Sequence, residues 1–376
     1  MINRRHFFKV TAVSVAGLSL NGFGLDVEAK KEKGSKLSNA YSIVMVGDTH
    51  YDKKPDEVYH SGYSDPNPTR EANHRKEFVR NADMWSDRTR RLLRRASKLV
   101  TPDTRMAFQL GDLIQGDTGS AEAHKLMLDD AFCYVKGAIG GVPLITCAGN
   151  HDLRAKDDKV ATKAYTEYMT ERMSGELGKD IEKICFSFTI GPDAFIVVDF
   201  TYPDDEEIDK LFKETEGARY TFVVIHGPVF PYQSKTCNWI MHGKDKNDVA
   251  RRHFRKLLAE RNAIVICGHT HTTEMLDWFG DGGRITQMTV NSVWADEKKG
   301  KDYKPVFDKA EDYGKVVIDG GDKEQIALME EYKPGIKRFI MARTCGSYKL
   351  HVSDKSVTVD YYAGDSLERS EEFILR

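Results

Sequence analysis

Two histidines split by one residue, in Gly268-His269-Thr270-His271, follow directly on the apolar run Val265-Ile266-Cys267. Imidazole is a metal ligand or a proton carrier, so a pair at this spacing is either half of a metal site or an accident of a loop. The rest of the chain bears on the choice. Four other apolar runs end on residues of the same chemistry: Asp48 and His50 after YSIVMV, Asp112 after RMAFQL, Asn150 with His151 after PLITCA, and His226 after RYTFVVI. Imidazole and carboxylate together suit manganese, iron, zinc or similar ions, and a shared carboxylate holds two of them. Each residue alone has a plainer reading. Asp48 fits a turn or a helix cap, Asn150 a left-handed turn, and His226 a structural position before Gly-Pro. A site that needs converging ligands explains the whole set, whereas turn chemistry does not.

Something must hold these residues together. Continuous apolar runs of this kind read as buried parallel strands. Helical stretches lie between them: SDRTRRLLRRASKLV, AEAHKLMLDDAFCYVKGAI, segments near 158–173 and 205–215, and NDVARRHFRKLLAER. CFSFTI and AFIVVDF read as a hairpin turned at Gly191-Pro192-Asp193. The alternation predicts an α/β layered fold, and in open α/β sheets ligands bind beyond the carboxyl ends of the strands. The tail reads as strands near 273–279, 284–290, 337–344, 347–353 and 356–362, completing a second sheet of the same domain.

The polar stretch from Tyr51 to about residue 86 reads as a long loop or lid. Its Tyr51, Tyr59, Tyr63, Arg70, His74 and Arg75 are candidates to stack on a base or sugar, or to hold a second anionic group. Trp239 and His242 are candidates for the opposite wall. His60 and His74 are secondary pocket candidates, and His124, His253 and His351 read as surface or packing residues.

The order D-x-H, G-D, G-N-H-D, H and G-H-x-H, from Asp48 to His271, resembles the calcineurin-like metallophosphoesterase family. The resemblance implies a two-sheet sandwich flanked by helices over about residues 41–376. It implies two divalent or trivalent metal ions (manganese, iron or zinc). Asp48, His50 and His271 would hold the first, Asn150, His226 and His269 the second, and Asp112 would bridge both. A metal-bound hydroxide would attack a small phosphomonoester or phosphodiester, with His151 protonating the leaving oxygen or steadying the phosphate. The chain also departs from two branches. Gln115 and Gly116 stand where the protein serine/threonine phosphatases carry Asp and Arg, so that branch is not expected, and Asp152 or Asp117 becomes the candidate to orient His151. Purple acid phosphatases have Asp-x-Gly in the first motif and a metal-binding tyrosine after the second. Leu113-Ile114-Gln115 offers no tyrosine, so no purple iron chromophore is expected.

Composition narrows the field. The 376 residues are 40% hydrophobic and 30% charged, with a net charge of −2. No overall basic field draws in nucleic acid, which sets a nuclease on the same core behind a small-molecule phosphoesterase. A non-catalytic metal-binding scaffold would be favoured by a missing ligand or a replaced His151, and neither is seen. The start, MINRRHFFK followed by VTAVSVAGLSLNGFGL and small residues at Val27 and Ala29, predicts an export signal over residues 1–29 and a linker over 30–40. Arg4-Arg5 resembles the twin-arginine address, so a periplasmic location reached by that or the secretory route is expected. The apolar run is short and carries glycines, which argues against a stable membrane span. Six scattered cysteines predict free, mostly buried thiols.

Overall fold

In the computed structural model, residues 39–55, 57–243, 245–293, 303–315 and 322–376 are described. Leu37–Arg376 form one compact unit. The expected export signal at residues 1–29 lies outside the described residues.

The strands are β1 (Tyr41–Val46), β2 (Thr104–Gln109), β3 (Leu144–Thr146), β4 (Phe186–Ile190), β5 (Asp193–Val198), β6 (Thr221–Ile225), β7 (Ile264–Cys267), β8 (Thr273–Gly280), β9 (Gly283–Thr289), β10 (Pro305–Phe307), β11 (Ile336–Ala342), β12 (Gly346–Val352), β13 (Val357–Ala363) and β14 (Glu371–Ile374). They form two sheets, ordered β14-β13-β12-β1-β2-β3 and β10-β11-β8-β9-β7-β6-β5-β4. β1, β2 and β3 run parallel in the first sheet, and β5, β6 and β7 in the second. All six residues of β1 are buried, which is why its sequence shows no alternation. Aromatic rings join the sheets. Phe108 of β2 meets Phe195 of β5 with centroids 5.7 Å apart, and Phe195 stacks on Phe222 of β6 at 4.6 Å.

The β-rich tail completes the second sheet with β8 to β11 and also extends the first. β12 pairs antiparallel with β1, Ile43 opposite Leu350, and the expected terminal hairpin is β12 with β13. Helices α4 (Ala121–Ala138), α5 (Asp158–Leu177), α6 (Asp205–Glu214) and α7 (Asp248–Glu260) lie where the sequence pattern predicts them. Side chains cap their starts: Ser120 accepts from Ala123 N and Asp157 from Lys159 N.

The long loop expected over 51–86 is corrected. Most of the segment is helical: α1 (Glu57–His60), then α2 (Pro68–Met84), which runs through a π-helical turn (Trp85–Thr89) into α3 (Arg90–Ser97). Asn67 caps α2 by accepting from Thr69 N and Arg70 N, and Pro68 opens it with φ already set. The polar composition belongs to the outer face, while Phe78, Asn81, Ala82 and Trp85 are buried.

Candidate metal centre

The carboxyl ends of β1, β2 and β3 carry the Asp48, Asp112 and Asn150 loops, and those of β6 and β7 carry the His226 and His269 loops. Backbone hydrogen bonds lace these loops to one another. Thr49 N and His50 N both donate to Asp112 O, at 3.0 and 2.9 Å, and Gly268 N donates to His226 O at 2.9 Å. His151 N donates to Asp112 Oδ1 at 2.8 Å, and His269 N to the Asp48 carboxylate at 3.1 Å. The glycines of the motifs permit this closeness. A Cβ on Gly149 would overlap Asp112, and one on Gly111 would overlap the His226 ring. Four candidate ligands take left-handed backbone conformations: His50 (φ 43°), Asp112 (φ 48°), His269 (φ 69°) and His271 (φ 51°). Such conformations cost ~1–3 kcal/mol each and persist where surrounding structure imposes them.

The side chains meet in overlapping groups. Asp48, His50 and His271 form one, Asp112, His226 and His269 a second, and His50, Asp112 and His151 a third; within each group the ligand atoms lie within 4.8 Å of one another. His271 Nε2 is 3.4 Å from Asp48 Oδ1. His226 Nε2 is 3.2 Å and His50 Nε2 3.8 Å from the same oxygen, Asp112 Oδ2. Imidazole nitrogens also face each other, His50 Nε2 and His271 Nε2 at 3.2 Å, and His226 Nε2 and His269 Nδ1 at 3.0 Å. Asn150 lines the same cleft, of about 400 Å³. Its Oδ1 is buried without a hydrogen-bond partner, and a buried acceptor left so calls for an ion or water. A nitrogen and oxygen donor set without thiolate, sharing one carboxylate and holding one orphaned amide oxygen, fits a pair of hard or borderline cations.

Burial leaves His50, His269 and His151 neutral, the form in which an imidazole can ligate. Burial lowers His50 to about 4 and His269 to about 3, against the pull of Asp112. Burial also depresses His151, with Arg154 adding to it. Burial raises the Asp48 and Asp112 carboxyls, but the imidazoles outweigh it: His271 and His226 pull Asp48 down, and His226, His151 and His50 pull Asp112 well down. For His226, burial is outweighed by Asp112 and Asp48, and the ring rises to about 9. Its Nδ1 donates to Leu110 O at 2.7 Å, which fixes the ring and turns Nε2 inward.

His151 is oriented by neither of the expected acids. Its Nδ1 donates to the Gln115 carbonyl at 2.9 Å. Asp152 instead accepts from Ile114 N at 3.0 Å and Gly149 N at 2.9 Å, tying two loops together. Asp117 pairs with Arg154 at 2.5 Å, and His74 lies 3.6 Å away.

The secondary candidates divide. Trp239 lines the cleft. His60 is packed inside, stacked on Phe78 at 3.6 Å and paired with Asp52. His242 sits between Asp205 and Asp245 at 3.0 and 3.1 Å. Tyr51 and Tyr59 are buried, Tyr51 against Trp85 at 4.7 Å. Arg75 bonds Glu71 and the Tyr63 carbonyl, while Tyr63, Arg70 and His74 line a neighbouring cleft. Glu77, Arg80 and Asn81, which no motif singles out, are presented by α2 to the metal cleft. Their spacing places them on one helix face, a signal open only once 68–84 is read as a helix.

The family model of the calcineurin-like phosphoesterases matches residues 41–273. Among solved structures, the purple acid phosphatase PPD1 from yellow lupin (Lupinus luteus) seeds matches with a TM-score of 0.53 and 14% identity, over 90% of this chain and 54% of that one. PhoD matches with a TM-score of 0.52 and 12% identity, over 91% of this chain and 69% of that one. At these identities the likeness is one of fold, and the chain spans about half the length of the lupin protein. No curated protein sequence matches.

Proposed function

The chain belongs to the calcineurin-like phosphoesterase family, and on that premise we propose that it hydrolyses a small phosphomonoester or phosphodiester at a dinuclear metal centre. The observation that carries this reading is the meeting of donors from five separate loops, with Asn150 Oδ1 buried and unpartnered among them. In this reading Asp48, His50 and His271 would hold one cation, Asn150, His226 and His269 the other, and Asp112 would be shared. When bound, the two cations supply Lewis acidity to the phosphoryl oxygens and lower the pKa of the attacking water.

The remaining steps belong to the chain. The bond from His226 Nδ1 to Leu110 keeps that ring from turning. The backbone N–H groups of Thr49 and His50, both donating to Asp112 O, hold the first loop against the shared carboxylate. With Nδ1–H on the Gln115 carbonyl, neutral His151 offers Nε2 as an acceptor. The negative charge of a bound phosphoester raises the proton affinity of that ring, and Nε2 takes up a proton from solvent. The imidazolium so formed passes its Nε2 proton to the leaving oxygen as the P–O bond breaks.

The test is turnover by the manganese-supplemented protein of p-nitrophenyl phosphate and bis-p-nitrophenyl phosphate. Diester turnover assigns a phosphodiesterase, and turnover of the monoester alone a phosphatase. Two bound metals with turnover of neither would overturn the catalytic reading in favour of a scaffold. Residues 1–29 are proposed as an export signal on the strength of Arg4-Arg5 and the apolar run after them; export unchanged by Arg4→Lys with Arg5→Lys would remove the twin-arginine route.

A further inference from the structure

Trp239 stands apart from the other tryptophans that the structure describes. Trp85 and Trp278 are 2% and 5% exposed, and each places its indole N–H on a backbone carbonyl, Thr49 O at 2.7 Å and Tyr332 O at 3.1 Å. Those two are core residues with their polar edge satisfied. Trp239 is 42% exposed. It ends the 3₁₀ helix Ser234–Trp239, on the connection that follows His226. Its ring meets the His269 ring edge-to-face, with centroids 5.6 Å apart. An open indole thus borders the cleft that holds the candidate ligands.

The wall contributed by α2 is of a different kind. Arg80 has a side chain 54% exposed, 3.9 Å from Glu77. Asn81 has a buried Oδ1 without a hydrogen-bond partner. The cleft therefore has an aromatic face on one element, and a guanidinium, a carboxylate and an amide on another. A phosphoester of a short acyclic alcohol has no flat surface to place against an indole. One carrying a planar base or a sugar ring does, and its polar edge would meet the α2 groups.

Resting on the phosphoesterase reading, we propose that Trp239 is a specificity-determining platform, and that the substrate is a phosphoester whose organic group presents a flat ring face beside the phosphate. The ring is that of a nucleoside or of a pyranose. Stacking of a base on an aromatic side chain corresponds to about a tenfold effect on affinity.

The test separates binding from turnover. Adenosine 5′-monophosphate, glucose 6-phosphate and glycerol 3-phosphate are titrated calorimetrically into manganese-loaded full chain carrying His151→Ala. The same titrations are made with Trp239→Ala or Trp239→Phe added. The expected result is a loss of about tenfold in affinity for a ring-bearing phosphate in Trp239→Ala, less than twofold for glycerol 3-phosphate, and near-complete retention in Trp239→Phe. Loss confined to the adenosine ligand assigns a base, and loss confined to the glucose ligand assigns a pyranose. Equal losses for all three ligands, no loss, or no ring-bearing ligand bound more tightly than glycerol 3-phosphate would overturn the proposal. Failure of the hydrolase reading shows separately, as absence of turnover by the unsubstituted chain.

Discussion

Asp112 Oδ2 lies 3.2 Å from His226 Nε2, joining a loop of the first sheet to a loop of the second. The contact is possible because Gly111, at φ +81°, puts no side chain where the His226 ring sits. Gly111→Ala would force a left-handed alanine, at ~1–2 kcal/mol, and overlap the ring, at ~1–3 kcal/mol more. The expected outcome is a melting temperature lower by several degrees and weaker metal retention, read by calorimetry and metal analysis. An unchanged melting temperature would mean that the two loops are not packed as described.

His151→Ala should leave metal content unaltered and lower kcat by about 10²–10⁴-fold for substrates with poor leaving groups. Loss on p-nitrophenyl phosphate should be much smaller, because p-nitrophenolate leaves without a proton. Equal losses on an alkyl phosphate and an aryl phosphate would assign His151 to holding phosphate instead.

The Trp85 indole donates to Thr49 O, between the candidate ligands Asp48 and His50. Trp85→Phe keeps most of the packing and orphans that carbonyl. A stability loss of about 1–3 kcal/mol is expected, with affinity for the more weakly held metal lower by about 10–100-fold, as when a ligand's supporting contact is removed. Denaturant melts and metal titration measure the two effects. Unchanged metal affinity would show that α2 and its π turn do not brace the first loop.

Glu274 is wholly buried, and burial raises its carboxyl from 4.5 to about 8, against hydrogen bonds from Gln287 and Thr289. The folded protein therefore holds a proton that the unfolded chain has released. Its contribution to stability is full below pH ~4.5 and is lost as pH rises toward about 8. Glu274→Gln keeps an acceptor for Gln287, which donates to Glu274 at 2.7 Å and whose Oε1 accepts from Val229 N and Phe230 N. The variant should melt close to the parent at pH 5 and at a higher temperature at pH 9. A difference that is the same at both pH values would contradict the assignment.

Much of this arrangement was legible because the chemistry sits where pattern is strongest. Asp48, Asp112, Asn150, His226 and His269 each follow closely on a mostly apolar run, the pattern that buried parallel strands display. Helix α2 was hidden, since its exposed face carries most of its residues and the inward Phe78, Asn81 and Trp85 gain meaning only once docked. Asn67-Pro68 was the local sign of its start. The partner of His151 was out of reach for another reason: it is the carbonyl of Gln115, and backbone groups have no signature in sequence. The placement of β12 beside β1, with Tyr41 opposite Val352, is a pairing distant in sequence that no local pattern specifies.

Asp112, as the carboxylate proposed to be shared by two cations, should set how many ions the chain holds. Metal analysis of the purified chain, alongside Asp112→Asn, should find two ions per chain in the former and at most one in the latter. Turnover of p-nitrophenyl phosphate or its diester should fall by about 10³-fold in the variant, since several kcal/mol of transition-state stabilisation depend on the pair. Two ions retained by Asp112→Asn with undiminished turnover would rule out a shared Asp112.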